Sequence, residues 1–166
     1  FQRVGDLIWQ AADIRARGFL LGATAGRTTL MGEGLQHQDG HSLVMASAVP
    51  PCQAYDPAFS YELAVIIREG IRRMYEQQES VFYYITIHNE NYAMPGLKAG
   101  TEEQILKGMY LLLEGAKKTP RVNLLGSGTI LRESMAAKEL LEKDWGVAAN
   151  VWSCPSFNEL TRDGQD

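Results

Sequence analysis

Cysteine is scarce here: Cys52 and Cys154 are the only two among 166 residues. Two thiols are too few for a disulfide framework and suit a reducing, cytoplasmic compartment. Both read as small buried residues rather than nucleophiles. Long apolar runs and a basic-then-apolar leader are also missing, so neither a membrane-spanning helix nor a signal peptide is expected. Positive charge is not in excess. Sixteen Lys and Arg against 20 Asp and Glu leave a net charge of −4 and a pI near 5.4, which argues against the basic stripe of a nucleic-acid binder. No internal repeat or low-complexity tract occurs. The chain opens on Phe1 without an initiating Met and breaks off after Gln165 and Asp166, which reads as an internal segment of a longer protein.

What is present in unusual density lies between Gly26 and Ser47, GRTTLMGEGLQHQDGHSLVMAS. Gly32, Gly34 and Gly40 preclude a stable helix or strand through its middle and let the backbone approach a ligand closely. Glu33, His37, Asp39 and His41 stand in the same stretch. Carboxylates and imidazoles move protons near neutral pH, so their grouping marks a candidate acid/base site. Two other readings stay open on residue types alone. The stretch could be a polar connection, or its His, Asp, His spacing could bind zinc, iron or nickel, although no CxxC or HExxH motif accompanies it.

Along the chain, apolar residues from Val4 to Ile14 recur at helical spacing and predict a helix over 2–17 with Gly18 past its end. FLLGAT, residues 19–24, predicts a buried parallel strand that delivers the chain to the glycine-rich loop, at the strand end where open α/β sheets bind ligands. Ser42 is placed to cap a short helix through Met45. CQAY, residues 52–55, reads as a strand. Asp56 and Pro57 then predict an N-cap and first turn of a helix running to about Gln77. That helix is expected to turn Leu63, Ile66, Ile67, Ile71 and Met74 inward and Arg68, Glu69, Arg72 and Arg73 to solvent. VFYYITI, residues 81–87, predicts a strand buried on both faces.

Periodicity then lapses over 88–101, which reads as a boundary between domains. His88 and Glu90 stand at a strand end and read first as turn residues of a linker. Beyond it the pattern predicts a helix over 102–107, strands over 110–113 and 121–125, and a helix over 130–143. A strand over 147–153 and a helix from Ser156 follow. GSGT, residues 126–129, could cradle an anion at a helix N-terminus. Without a P-loop Lys or a full dinucleotide fingerprint it reads as a tight turn. Strands alternating with helices make both halves α/β with mainly parallel sheets.

GEGLQHQDGHS, with FQRVGDLIWQAADIRARGFLLGATAGRTTL before it and NENYAMPG after it, resembles the homodimeric pyruvate dehydrogenases, the thiamine-diphosphate-dependent component of the pyruvate dehydrogenase complex. The resemblance runs from Phe1 to Asp166. It departs at Met31, where the family usually carries Asn. Transketolases carry a looser relative of the loop that lacks the QHQDGHS continuation.

The resemblance implies parts of two transketolase-like α/β domains. On that resemblance, residues 1–95 are expected to be the C-terminal half of a pyrimidine-binding domain and 96–166 the beginning of a C-terminal domain. It also implies decarboxylation of pyruvate with thiamine diphosphate and Mg2+, and transfer of the two-carbon fragment to the lipoyl group of dihydrolipoyl acetyltransferase. Glu33 and His37 match the family's active-centre Glu and His, and Arg3, in FQR, matches an active-site Arg suited to a carboxylate. Asp39 and His41 are expected to bind substrate or support the loop. The metal and diphosphate ligands and the cofactor-activating Glu have no counterpart in this segment and are expected upstream. The alternatives are a transketolase-like ketol transferase and, for the isolated segment, an inactive structural piece.

Overall fold

The structure, a computed structural model, describes residues 1–23, 39, 41–88, 90–117 and 119–165. Strands β1 (Phe19–Ala23), β2 (Cys52–Tyr55) and β3 (Phe82–Ile87) form a parallel sheet in the order β1-β3-β2. Strand β3 is buried on both faces, as its aromatic and β-branched sequence predicts, and lies in the centre, where neighbours on both edges and layers on both faces can bury such a run. Side chains alternate across it. Tyr83 and Ile85 pack with Val65, Ile66 and Met74, the first two on helix α3 (Ser60–Ile71). Phe82 and Tyr84 pack on the opposite face with Ile8 of α1 (Gly5–Asp13), Ala46 of α2 (Ser42–Ser47) and Val49. Burying each large side chain of this kind contributes on the order of 2 kcal/mol.

Several local expectations are corrected. A tight turn over Gln2–Val4 precedes α1, and the helix ends at Asp13 rather than Arg17. The reversal falls on Arg15, at φ 56°, instead of Gly18. Arg15 N–H donates to the Ala12 carbonyl at 3.0 Å and Ala16 N–H to the Ala11 carbonyl at 2.8 Å, the paired bonds that close a helix C-terminus. Arg17 then binds the carbonyls of Gln78 and Glu79 at 2.6 and 3.0 Å, which draws the chain off the helix axis. Strand β1 is parallel as expected but not buried. Among the described residues it has one neighbour, and Leu21 is 54% exposed.

The helix after β2 starts at Ser60, with Phe59 rather than Asp56 in the N-cap position. Glu62 Oε2 reaches back to the N–H groups of Ala58 and Phe59 at 2.6 and 3.0 Å, satisfying donors that an N-cap side chain would otherwise serve. A wider turn over Arg72–Glu76 carries the helical path to about Gln77, as predicted. Ile71 faces out, 45% exposed. Arg73, expected in solvent, folds back onto Glu79, Gln53 and Tyr83.

The second sheet joins β4 (Tyr110–Leu113), β5 (Arg121–Gly126) and β6 (Ala148–Ser153) in the order β4-β6-β5, with β5 parallel and β4 antiparallel to β6. Helices α4 (Glu102–Leu106), α5 (Ile130–Asp144) and α6 (Phe157–Gln165) accompany it. The two halves share apolar cores. Ile105 and Tyr110 sit in the cluster under β3, while Ala58 and Phe59 pack with Leu131 and Val151. The outer edge of β2 is closed from the second half. Ser156 Oγ donates to the Ala54 carbonyl at 2.6 Å, Arg162 to the Cys52 carbonyl at 2.7 Å, and the Asp56 N–H donates to the Pro155 carbonyl at 2.7 Å. Those bonds occupy groups that a bare edge would offer to another strand. No helix of the described residues is long and apolar enough to cross a membrane.

Candidate functional site

The glycine-rich stretch leaves β1 at Ala23 and rejoins the described chain at Asp39. Glu33, His37 and Met31 lie outside the described residues. Arg3 is exposed in the turn before α1. His41 is exposed at the N-cap position of α2 and makes no side-chain cap bond. The cap comes instead from Asp39, whose Oδ1 accepts the Ser42 N–H at 3.0 Å, so Ser42 opens the helix rather than capping it. Burial pushes the Asp39 carboxyl up, but the N–H groups of Ser42 and His41 and the hydroxyls of Ser42 and Tyr84 outweigh it and hold Asp39 below its ordinary range. Asp39 is therefore an ionised acceptor at neutral pH, committed to the start of α2 and to Tyr84.

Tyr84, buried in the middle of β3, stands against this junction. Its hydroxyl lies 3.4 Å from Asp39 Oδ2. On the other side its ring covers Gly22, where a Cβ would sit 2.6 Å from the Tyr84 oxygen. Phe1 packs edge-on against the same ring, with centroids 5.2 Å apart.

A second polar cluster forms where strand ends of the two sheets meet. Asp56, 2% exposed, follows β2. Its Oδ1 accepts the Thr86 hydroxyl at 2.5 Å, from β3, and its Oδ2 accepts the Ser127 hydroxyl at 2.7 Å, from the turn after β5. Gly128 N–H donates to the Asp56 carbonyl at 3.0 Å, and His88 Nε2 lies 3.7 Å from Oδ1. The GSGT turn thus does hold an acidic side chain, and it is the chain's own Asp56. A neighbouring cavity of about 330 Å³ is lined by Leu43, Val44, Asp56, Ser127, Ser156 and Asn158 among others. Three of its polar side chains join the halves: Ser156 binds Ala54, Ser127 binds Asp56, and Asn158 binds the Leu43 carbonyl at 2.9 Å.

Residues 1–95 match the family model described as the pyruvate dehydrogenase E1 component middle domain. The chain belongs to that family. Residues 108–166 match the transketolase-like TK C-terminal domain. Similar proteins named pyruvate dehydrogenase E1 component occur in Cupriavidus necator, 61% identical over 99% of this chain, and Pseudomonas aeruginosa, 63% identical over 99%. The one from Escherichia coli K12 is 58% identical over the whole chain. The chain spans 19% of the length of each. Among solved structures, transketolase from Campylobacter jejuni superimposes over 97% of this chain and 24% of its own, with a TM-score of 0.77 and 21% identity. Transketolase from Leishmania mexicana covers 95% of this chain and 22% of its own, with a TM-score of 0.69 and 16% identity. The fold is therefore that of parts of transketolase-like α/β domains, with mainly parallel sheets.

Among the described residues no group of three or more His, Cys, Asp or Glu side chains is placed to hold a metal ion. Sequence reasoning missed Tyr84, which periodicity shows only as one residue of an apolar strand, and the true partners of Asp56. The Asp-Pro pair reads as a local helix start, and nothing local points to Ser127, 71 residues away.

Proposed function

We propose that this chain is the active-centre-loop segment of a pyruvate dehydrogenase, the component that decarboxylates pyruvate and passes the two-carbon fragment to the lipoyl group of dihydrolipoyl acetyltransferase. The observation that carries the reading is identity of 58–63% with E1 components over at least 99% of the chain, a span that includes the GEGLQHQDGHS loop. Thiamine diphosphate with Mg2+ supplies the carbanion chemistry in such enzymes, and parts of the protein beyond this chain hold the diphosphate and metal.

Within the chain, Glu33 and His37 handle protons at the reacting centre and Arg3 offers a guanidinium to a carboxylate. Asp39 and His41 support the loop. The chain divides near residue 95 into the end of a pyrimidine-binding domain and the start of a C-terminal domain, and the complete protein works as a cytoplasmic homodimer. The test is to supply the complete protein with cofactor and Mg2+, then measure carbon dioxide release from pyruvate against ketol transfer between sugar phosphates. Pyruvate turnover supports the reading. Sugar-phosphate turnover without it replaces the reading with a transketolase.

A further inference from the structure

We infer that Tyr84 is a positioning residue for this reaction, setting both described ends of the segment that carries Glu33 and His37. The inference rests on the reading that this segment holds the active centre. Three observations converge on the one side chain. Gly22, the last residue but one of β1, leaves room for the Tyr84 ring, since a Cβ there would stand 2.6 Å from its oxygen and 3.0 Å from Cζ. Asp39, where the described chain resumes, receives the Tyr84 hydroxyl at 3.4 Å while its other oxygen takes the Ser42 N–H. Phe1, two residues before Arg3, lies edge-on to the ring at 82°.

The support beneath is rigid. Tyr84 is 5% exposed in the central strand, paired with Leu20 on one side and Ala54 on the other. Groups that must be held within about half an ångström are best held from such an element. A tyrosine serving only as core would explain the ring but not a hydroxyl held by Asp39 and the Ser42 side chain, both where the described chain resumes. A phenylalanine fills the same space.

The experiment uses the complete protein with its cofactor and compares wild type, Tyr84→Phe, Gly22→Ala and the double variant. For Tyr84→Phe, kcat with pyruvate is expected to fall roughly five- to tenfold, the size of one lost hydrogen bond. KM for pyruvate, cofactor affinity and the thermal midpoint should stay near wild type. Amide exchange at Ser42 should rise in the same variant. Gly22→Ala should lose more, about tenfold or beyond, because the new methyl displaces the ring. The double variant should be no worse than Gly22→Ala, since the hydroxyl in the way is gone.

A Tyr84→Phe protein with wild-type kcat overturns the inference, whatever its exchange rates. So does a fall in kcat accompanied by a thermal midpoint lowered by about 4 °C or more, which would make Tyr84 a packing residue. A wild-type protein that does not turn over pyruvate fails the functional reading instead, and is recognised before any variant is compared.

Discussion

Ser153 donates its hydroxyl to Glu62 Oε1 at 2.6 Å, joining residues 91 apart in the chain inside a site closed to solvent. Tyr110 donates to the same oxygen at 2.6 Å, and Oε2 takes the N–H groups of Ala58 and Phe59. One carboxylate thus starts α3 and ties the ends of β4 and β6 to it. Such a polar group is tolerable in the interior because its oxygens are answered by donors.

Glu62→Gln is the sharpest test of that junction. Turned to the backbone, its amide nitrogen would face two N–H donors and lose both bonds; turned to Tyr110 and Ser153, it would force both hydroxyls to reverse from donors to acceptors. We expect a loss of about 3 kcal/mol, read as a lower urea midpoint for the complete protein. A change under about 0.5 kcal/mol would show that the site rearranges freely.

Gly128→Ala tests the second junction. Gly128 has φ 53°, and a Cβ would stand 2.8 Å from both carboxylate oxygens of Asp56. Gly146 has φ 67° with nothing within 4 Å, which makes it the control for backbone strain alone. Gly146→Ala should cost about 1 kcal/mol and Gly128→Ala about twice that or more. Equal costs in thermal unfolding would remove any role for the close approach of Asp56.

For catalysis, His37→Ala in the complete protein should lower kcat with pyruvate about a hundredfold or more, as loss of a positioned acid or base does. His41→Ala should cost far less, because His41 is exposed and makes no cap bond. Glu33→Gln combined with His37→Ala should be scarcely worse than the poorer single variant, since groups acting as one unit give non-additive losses. Steady-state kinetics on the four proteins decides this.

Asp39 gives a pH dependence with a definite sign. Its folded-state pKa is depressed below the ordinary 3.8, so its contribution is complete above that range and is lost as pH falls through the depressed value. Subtracting the unfolding profile of Asp39→Asn from that of wild type should give a constant difference from pH 7 to about 5, shrinking below about 4. A difference that grows in acid would contradict the assignment.

The two thiols should be inert while the protein is folded. Burial pushes Cys52 up to about 12 and Cys154 up to about 11, leaving on the order of one thiolate in a thousand or fewer at pH 8. Both side chains are also fully buried. A chromogenic disulfide reagent should label neither thiol in native protein and both in urea, and fast native labelling of either would refute this.

The sequence by itself determined the order and kind of the elements. β2 over 52–55 and β4 over 110–113 match the predicted bounds, β3 and β5 lie within a residue of theirs, and α5 ends one residue beyond its prediction, because periodicity and β-branched or aromatic runs are written in adjacent residues. It also singled out the loop from Gly26 to Ser47, where glycine, carboxylate and imidazole stand together. Only the tertiary structure decided which polar groups meet. Asp56 leaves the helix start that its Asp-Pro pair predicts because Thr86 and Ser127 offer it buried hydroxyls, and Glu62 serves the backbone donors in its place. The same holds for Tyr84. Pattern makes it one more apolar residue of a central strand, and its contacts with Gly22, Asp39 and Phe1 exist only once the chain has brought residues tens of positions apart into one place. Local sequence sets backbone preferences. Partners for buried polar atoms are set by whichever distant segment the packing delivers.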